Sequence, residues 1–455
     1  MNLIILLAAT VQCWPLPNEV RKSTDYTITV DGRSLEVART KDVHPLFLND
    51  YQWETEGRMT FSSFSYAQFE AEGEVSVKVE WRGGGTNFTA RVPFRTAFRP
   101  FGRDNALMLA GNAIDRNPPD PKAPGVRYFG PGYHRCEMIE LQSGETLYLA
   151  AGAWVVAGLR AIGNDITISG HGVLAGTPWR GGAYKKKDRA AGHDDFSPKY
   201  RDPKTGELRG QGCLACLDGS NLTVRGVTLF DSWGWTCSIY NATNVTVDAI
   251  KIMGGATGCC DGVDLTRVKN AVVKDCFIRT GDDLIAPKWW CEDVLVTNCT
   301  LWVDHANVVR IGYENDPPPA VFRNIAIRDC DVLEMQAMCR PPTRYWSGGI
   351  LQVEGSHGQR LENIVMENVR CHFTPYPRGA HFIFKTHPVT SGYKFPEPGH
   401  IRGITVRNVT CLPGPHKFRA FVGEWDERHR VEDVSFTDME VDVTRVRGPK
   451  AFNYH

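Results

Sequence analysis

One twelve-residue unit recurs nine times from residue 165 onwards, and no other feature restricts the fold as strongly. Each copy begins with Asn, Asp or Gly, continues as an apolar-x-apolar run, turns at a polar or glycine-containing corner and ends in a second apolar alternation. The copies are DITISGHGVLAG at 165, NLTVRGVTLFDS at 221, NVTVDAIKIMGG at 244, NAVVKDCFIRTG at 270, DVLVTNCTLWVD at 293, NIAIRDCDVLEM at 324, NIVMENVRCHFT at 363, GITVRNVTCLPG at 403 and DVSFTDMEVDVT at 433. From 221 the intervals are 23, 26, 23, 31, 39, 40 and 30 residues, so loops of varying length join a constant unit.

Alternation with a period of two indicates short strands with one buried face. A recurring unit without an amphipathic helix is typical of a solenoid, in which each coil buries its apolar face against its neighbours. We therefore predict an all-β chain built around a right-handed parallel β-helix, with the segment IELQSGETLYLAAGAWVVAGLRAIG at 139–163 as an early coil. Asparagines at equivalent corners are expected to stack into ladders whose amide groups satisfy one another.

The chain before the repeat differs in character. Residues 24–100 contain hairpin-like strands separated by Gly and Asp turns, as in DYTITVDGRSLEVAR. They predict a small antiparallel β-sandwich domain packed on the end of the solenoid, where it would cap an otherwise exposed strand edge. The remaining 101–455 then form the β-helix domain, with a long polar loop insertion at 180–212 that we expect to line the cleft or lie over it.

The first residues predict export. Residues 1–16 form a short hydrophobic stretch ending in small residues, which resembles a secretory signal peptide and is too short to span a bilayer. The sequence TVQC, which ends at Cys13, is a poor lipoprotein signal because Gln12 is a large residue at the position before the cysteine. We therefore expect a secreted or periplasmic protein without a membrane span.

The composition narrows the choice of partner. The chain has 52 basic and 52 acidic residues, a balance that argues against a nucleic-acid binder. Of its 14 cysteines none belongs to a CxxC…CxxC array, so we expect no metal and no other cofactor. Disulfides and cysteines packed in the core remain equal alternatives. The predicted partner is a polysaccharide or oligosaccharide, bound by a monomer.

Ionisable residues recur at intervals close to one coil. Asp261 and Asp282 are 21 residues apart, and Asp283 and His305 are 22 residues apart. Such spacings place side chains next to one another on successive coils, roughly 5 Å apart along the axis. Like charges at that separation repel and raise at least one pKa. The full set of candidates is Asp261, Asp264, Asp282, Asp283, Lys288, Trp289, His305, Arg310 and Glu314.

This pattern suits glycoside hydrolysis, which needs a protonated carboxylic acid and an ionised carboxylate. Asp282, kept protonated by its neighbours, would act as the acid, while Asp261 and Asp283 would hold a water molecule. His305 would hydrogen-bond the acid. Lys288, Arg310, Asp264 and Glu314 would contact the substrate, and Trp289 would stack on a sugar ring or pack on the face of the solenoid.

The segments CDGVD at 260–264 and GDDLIAPK at 281–288 resemble motifs of glycoside hydrolase family 28, the polygalacturonase group. More distantly, the chain resembles the family 49 dextranases, which VVRIGYE at 308–314 also echoes. The resemblance covers roughly residues 125–440 and implies a metal-independent inverting hydrolase. It assigns the acid to Asp282, water activation to Asp283 with Asp261, and the family's conserved histidine to His305.

One family motif is missing. Polygalacturonases carry an Arg-Ile-Lys motif that holds the galacturonate carboxylate, and the aligned segment SGGILQVEGSHG at 347–358 offers Leu351 and Val353 in place of its cations. Arg310, Lys288 and Arg340 are possible substitutes. The sequence therefore leaves open whether the substrate is acidic or neutral.

Two other functions fit the same fold. A polysaccharide lyase would use Asp261, Asp264, Asp282 and Asp283 as calcium ligands and Lys288 or Arg310 as the base. A β-helical adhesin or tailspike would use the acidic face to bind a glycan without cleaving it.

Overall fold

The computed structural model describes residues 10–40, 63–101, 105–176, 200–201, 208–209, 212–232, 234–254, 260–304, 306–316, 318–335, 349–372, 384–388, 397–412, 414 and 417–448. All regular secondary structure in these ranges is β-strand. Residues 1–9 of the predicted signal peptide and most of the predicted insertion at 180–212 lie outside them. The described ranges contain no helix of the length and apolarity needed to cross a membrane.

Eight strands form two four-stranded sheets ahead of the solenoid. They are β1 (Tyr26–Val30), β2 (Arg33–Leu35), β3 (Ala38–Arg39), β4 (Ser65–Ala71), β5 (Glu74–Trp81), β6 (Gly84–Arg91), β7 (Phe94–Phe98) and β8 (Leu107–Ala113). The sheet orders are β2-β1-β5-β6 and β3-β4-β8-β7, and every pairing is antiparallel except β4 with β8. Strand β8, which a boundary at residue 100 would assign to the solenoid, therefore pairs inside this sandwich.

The rest of the described chain winds into a parallel solenoid. Its strands are β9 (Val126–Phe129), β10 (Gly132–Leu141), β11 (Thr146–Leu149), β12 (Ala153–Ile162), β13 (Thr167–Gly170), β14 (Val173–Ala175), β17 (Leu214–Arg225), β18 (Thr228–Phe230), β19 (Cys237–Asp248), β20 (Lys251–Met253), β21 (Val263–Lys274), β22 (Phe277–Thr280), β23 (Ile285–Thr297), β24 (Thr300–Val303), β25 (Val309–Gly312), β26 (Val321–Arg328), β27 (Asp331–Met335), β28 (Leu351–Gly355), β29 (Arg360–Cys371), β30 (Phe384–Pro388), β31 (His400–Cys411), β32 (Phe418–Glu424), β33 (Val431–Thr437) and β34 (Val441–Arg447). A separate antiparallel pair, β15 (Tyr200–Arg201) and β16 (Leu208–Arg209), falls within the insertion.

The coils stack in register, and this confirms the predicted right-handed parallel β-helix. Leu222 pairs with Val245, Val245 with Ala271 and Ala271 with Val294, so equivalent apolar residues lie above one another. These side chains are almost fully buried. Burying each Val or Leu contributes about 1.5–3 kcal/mol to stability. The apolar alternation in the sequence places these side chains in the core.

The predicted asparagine ladder is present at one corner. Asn270 Nδ2 donates to Asn244 Oδ1 at 2.8 Å, and Asn244 Nδ2 donates to Asn221 Oδ1 at 3.0 Å. Below them Asn221 Nδ2 donates to Asp165 Oδ1 at 2.8 Å. All four residues have φ between 56° and 57°. Asn and Asp tolerate this left-handed conformation better than other residues, which explains why the repeat begins with them.

The sandwich packs along one flank of the solenoid instead of capping its end. Phe64 contacts Trp302 edge-on at 5.2 Å between ring centroids and lies beside Phe277. The shared apolar cluster extends over successive coils from Trp154 to Trp302. The expectation of an end cap was wrong, because the outward side chains of β14, β18, β20, β22 and β24 form an apolar strip that the sandwich covers.

Cysteines in the described ranges have free thiols, and most are buried in the core. The alternative of core packing therefore holds for these residues.

Candidate active site

The corner that precedes β21 and β23 brings together the acids predicted from coil spacing. Gly262 N donates to Asp283 O at 2.8 Å, and Asp282 N donates to Cys260 O at 3.2 Å, so the two acidic segments lie on adjacent coils. A Cβ at position 262 would come within 2.3 Å of Leu284 O, which explains the glycine after Asp261. The predicted adjacency of these segments is confirmed.

Asp283 is held from the following coil. Asn307 donates to Asp283 Oδ1 through its backbone N at 3.1 Å and its Nδ2 at 2.7 Å, and Arg310 lies 3.5 Å from Oδ2. Asn307 Oδ1 in turn accepts a hydrogen bond from Gly349 N at 2.9 Å. Only 2% of Asp283 is exposed. Sequence reasoning missed Asn307, which lies one coil after Asp283 and carries no charge.

Asp261 is held by Lys288. Lys288 Nζ donates to Asp261 Oδ2 at 2.7 Å and lies 3.0 Å from Asp264 Oδ1. All three side chains are buried. The ammonium also lies 3.6 Å from the ring centroid of Trp235, which stacks on Tyr240. Lys288, predicted to contact substrate, is thus enclosed by protein groups.

Arg310 belongs to a second ion-pair system that extends up the solenoid. Its Nε donates to Glu354 Oε2 at 2.7 Å, and its guanidinium lies over Tyr313 at 4.1 Å from the ring centroid. Glu354 is fully buried, and His387 Nε2 lies 3.6 Å from its Oε1. Arg310 therefore bridges Asp283 to an acid two strands away.

The strand that aligns with the missing Arg-Ile-Lys motif presents different residues from those expected. Leu351 and Val353 on β28 face the apolar core. The alternate positions, Gln352 and Glu354, pair in register with Arg310 and Gly312 of the preceding coil. These two residues, and not Leu351 and Val353, occupy the outward positions, because neighbouring strand residues point to opposite faces.

Burial changes the proton affinity of the acids. Burial, reinforced by the charge of Asp283, raises the pKa of Asp282 to about 6. Burial also raises the pKa of Asp261 to about 7, against the opposing effect of Lys288. The pKa of Asp264 lies well above its ordinary value for the same reason. Asp282 is only half-buried, so it is the carboxyl group of this cluster most accessible from outside.

The remaining candidates lie to one side. The Trp289 ring faces Arg267, whose guanidinium carbon lies 5.4 Å from its centroid, and Arg267 pairs with Asp316 at 2.6 Å. Glu314 is buried, and its carbonyl accepts a hydrogen bond from Trp289 N at 2.6 Å. Trp235, and not Trp289, contacts the Lys288 ammonium that pairs with Asp261 and Asp264. It lies 26 residues before Asp261, a spacing near one coil that could have signalled its place.

His305 and Arg340 lie outside the described residues. Among those described, no group of three or more His, Cys, Asp or Glu side chains is arranged to bind a metal ion.

The fold is a parallel β-helix with a cluster of aspartates at one corner, and sequence comparison finds similarity to glycoside hydrolases. The family described as Glycosyl hydrolases family 28 matches residues 204–373, a span that includes Asp261, Asp282 and Asp283. The chain is 23% identical over 257 residues to "Probable exopolygalacturonase B" of Emericella nidulans, covering 54% of this chain and 53% of that protein. It is 25% identical over 211 residues to "Probable rhamnogalacturonase A" of Aspergillus oryzae, covering 46% and 40%. The chain spans about half or less of the length of these curated relatives.

Among solved structures, Dex49A from Penicillium minioluteum superimposes with a TM-score of 0.56 at 12% identity. The superposition covers 92% of this chain and 91% of that one, so the two share a fold over nearly their whole length. The resemblance to family 28, and more distantly to family 49, is confirmed.

Proposed function

We propose that the chain is a glycoside hydrolase that cleaves a polysaccharide or oligosaccharide at the acid cluster by an inverting mechanism. The observation that carries the proposal is the pairing of a half-buried acid, Asp282, with two buried aspartates from the same corner and the previous coil. Glycoside hydrolysis requires both a protonated and an ionised carboxyl group at one bond. Crowded carboxyl groups supply them, since they cannot all be ionised together.

Each aspartate has a separate role in this scheme. Asp282 donates its proton to the oxygen of the departing sugar, which the raised pKa of about 6 makes possible near neutral pH. Asp261 and Asp283 accept hydrogen bonds from a water molecule and remove its proton as it attacks the anomeric carbon. Asn307 and Arg310 hold Asp283 in place, so that one of its oxygens is fixed by amide donors.

The lyase alternative is less well supported. A lyase would need Lys288 or Arg310 as a neutral base. Although burial lowers the pKa of Lys288, its proximity to Asp261 and Asp264 raises it well above the ordinary value. An ammonium held this firmly does not accept a proton at neutral pH.

The sugar bound at the aspartates is proposed to be neutral. The two cations in contact with the acids are already paired with carboxylates, Lys288 with Asp261 and Asp264, and Arg310 with Asp283 and Glu354. The strand β28, on which the resemblance would place the cations of the polygalacturonases, carries Gln352 and Glu354 at its outward positions. A uronate carboxylate would meet unfavourable negative charge there.

Reducing-end release from a glycan panel tests both proposals. The panel pairs polygalacturonate with its fully methyl-esterified form, which has the same backbone without the charge, and adds dextran and other neutral plant polymers. We expect release from a neutral polymer, an inverted first anomer, and loss of release in Asp282→Asn. Faster cleavage of polygalacturonate than of its ester would overturn the neutral-sugar proposal alone. Ultraviolet-absorbing products would indicate a lyase, and binding without release would indicate an adhesin.

A further inference from the structure

Lys288 occupies an unusual position for a residue beside a sugar-cleaving site. It leaves β23 opposite Thr266 of β21, and its side chain reaches back to two carboxylates of the preceding coil. Only 4% of the residue is exposed. A lysine that binds substrate would keep its ammonium accessible, whereas the ammonium of Lys288 is buried against other protein groups.

The surroundings of the ammonium hold it on Asp261. Asp264, on β21, is completely buried. Its electrostatic compensation comes from Lys288 at 3.0 Å. The Trp235 ring closes the third side at 3.6 Å, a cation–π distance. Removing any one of these contacts would change the charge that Asp261 experiences.

We propose that Lys288, held by Asp264 and Trp235, is a positioning residue that favours the ionised form of Asp261, the form that activates water. This inference rests on the proposed hydrolase function. It supplies what the acid cluster by itself lacks, because crowded aspartates compete for a proton and nothing in their spacing decides which of them keeps it. A cation bonded to Asp261 shifts that competition towards the ionised form of this acid.

The charged groups around Asp261 support this assignment. Lys288 faces it from β23 and Asp264 from β21, while Asp282 and Asp283 face it from the next corner. Arg310 acts on Asp282 and Asp283, and Glu314 acts on Lys288. The thiol of Cys237 lies near Asp264. Among these, Lys288 is the cation that donates a hydrogen bond to Asp261, and its charge opposes the effect of burial on the pKa of that acid.

Two substitutions should move the pH profile in opposite directions. In Lys288→Met, Asp261 loses its cation, so the acidic limb of kcat should move up by about one pH unit or more and kcat at pH 6 should fall at least about tenfold, with little change in KM. In Asp264→Asn the ammonium of Lys288 pairs with Asp261 alone, so the acidic limb of kcat should move to lower pH. Lys288→Arg keeps the charge and should restore most of the wild-type profile. A purely structural role would lower activity in both variants without displacing the limb in opposite directions.

A direct titration separates this inference from the proposed function. Infrared spectra of protein labelled with ¹³C-aspartate, taken as differences against Asp261→Asn, follow the protonation of Asp261 without any substrate. The midpoint should rise in Lys288→Met and fall in Asp264→Asn. An unchanged midpoint in a folded Lys288→Met variant would overturn the inference even if hydrolysis is observed. Shifted midpoints without hydrolysis of any glycan would instead overturn the proposed function. If Lys288→Met does not fold, Asp264→Asn and Lys288→Arg decide the question by the same measurement.

Discussion

Two stacks of polar side chains run along this solenoid at the same one-coil spacing, and they have opposite properties. One is the corner ladder of Asp165, Asn221, Asn244 and Asn270, in which each amide donates to the residue below. The other is the acid stack of Asp261, Asp282 and Asp283, which faces the proposed cleft. The ladder is exposed and satisfied, whereas the acid stack is largely buried, and the pKa values of Asp261 and Asp282 are raised.

The difference arises from hydrogen-bonding capacity. An amide both donates and accepts, so identical amides stacked about 5 Å apart complement one another. An ionised carboxylate only accepts, so stacked carboxylates need protons, cations or amide donors from elsewhere. The same backbone repeat therefore produces a stabilising element with one residue type and a reactive one with another.

The sharpest test of this comparison is the same substitution made in each stack. Asp283→Asn should lower kcat by about 10²- to 10⁴-fold, because an amide cannot remove the proton of water. Asp293→Asn is the matched control in the ladder. Asp293 already accepts from Asn324 Nδ2 at 2.8 Å and pairs in register next to Asn270, so an amide there can also donate to Asn270. Its kcat should be unchanged, and equal losses in the two variants would show that the comparison is wrong.

A second test measures how the raised pKa values in the acid stack change the free energy of unfolding with pH. The folded-state pKa of Asp261, about 7, lies above its ordinary value, so the folded protein binds this proton more tightly than the unfolded chain. The associated stability is present at low pH and is lost as pH rises from about 4 to 7, by an amount on the order of 3 kcal/mol. Asp282 adds to the loss up to about pH 6. Urea unfolding at several pH values should show this decline in the wild type and a flatter one in Asp261→Asn. A wild-type stability that rises over the same interval would contradict the raised pKa.

The smallest effect is expected in the ladder. Asn244→Ala removes two hydrogen bonds and places Ala at a φ of 56°, which together should cost about 2 kcal/mol. Asn244→Gly removes the same bonds but accepts the left-handed backbone, so it should cost about 1 kcal/mol less. Thermal unfolding measures the difference, and activity per folded molecule should match the wild type in both. A glycine variant no more stable than the alanine variant would show that backbone strain contributes nothing at this corner.

Much of the fold could be predicted because it is local and repeated. The alternation around Leu222, Val245 and Ala271 fixes the strands, and the 21-residue interval from Asp261 to Asp282 is one residue short of the coil that pairs Val263 with Ile285. The direction of a side chain on a given strand was harder. Lys288 points back into the acid cluster near a register irregularity between Thr266 and Val268. The periodicity of the sequence does not predict this irregularity.

Other differences have the same physical origin. On β28, Leu351 and Val353 face the core while Gln352 and Glu354 take the alternate positions, because strand parity decides which face a residue occupies. The place of the sandwich depended on the apolar strip that includes Phe277 and Trp302, which lies on the outside of the coils and reads in the sequence as ordinary core.

The charged groups of the site come from separate coils: Asp261 lies before β21, Asp282 and Asp283 lie before β23, and Arg310 lies on β25. Solenoids commonly lengthen or shorten by whole repeats, since each coil contacts only its neighbours. In this lineage such changes would be tolerated after residue 388, beyond the coils that carry the acid cluster and the apolar strip under the sandwich. A coil gained or lost between these residues would leave a well-folded protein whose acid and base no longer meet. Within residues 261–312 the number of coils must therefore stay constant.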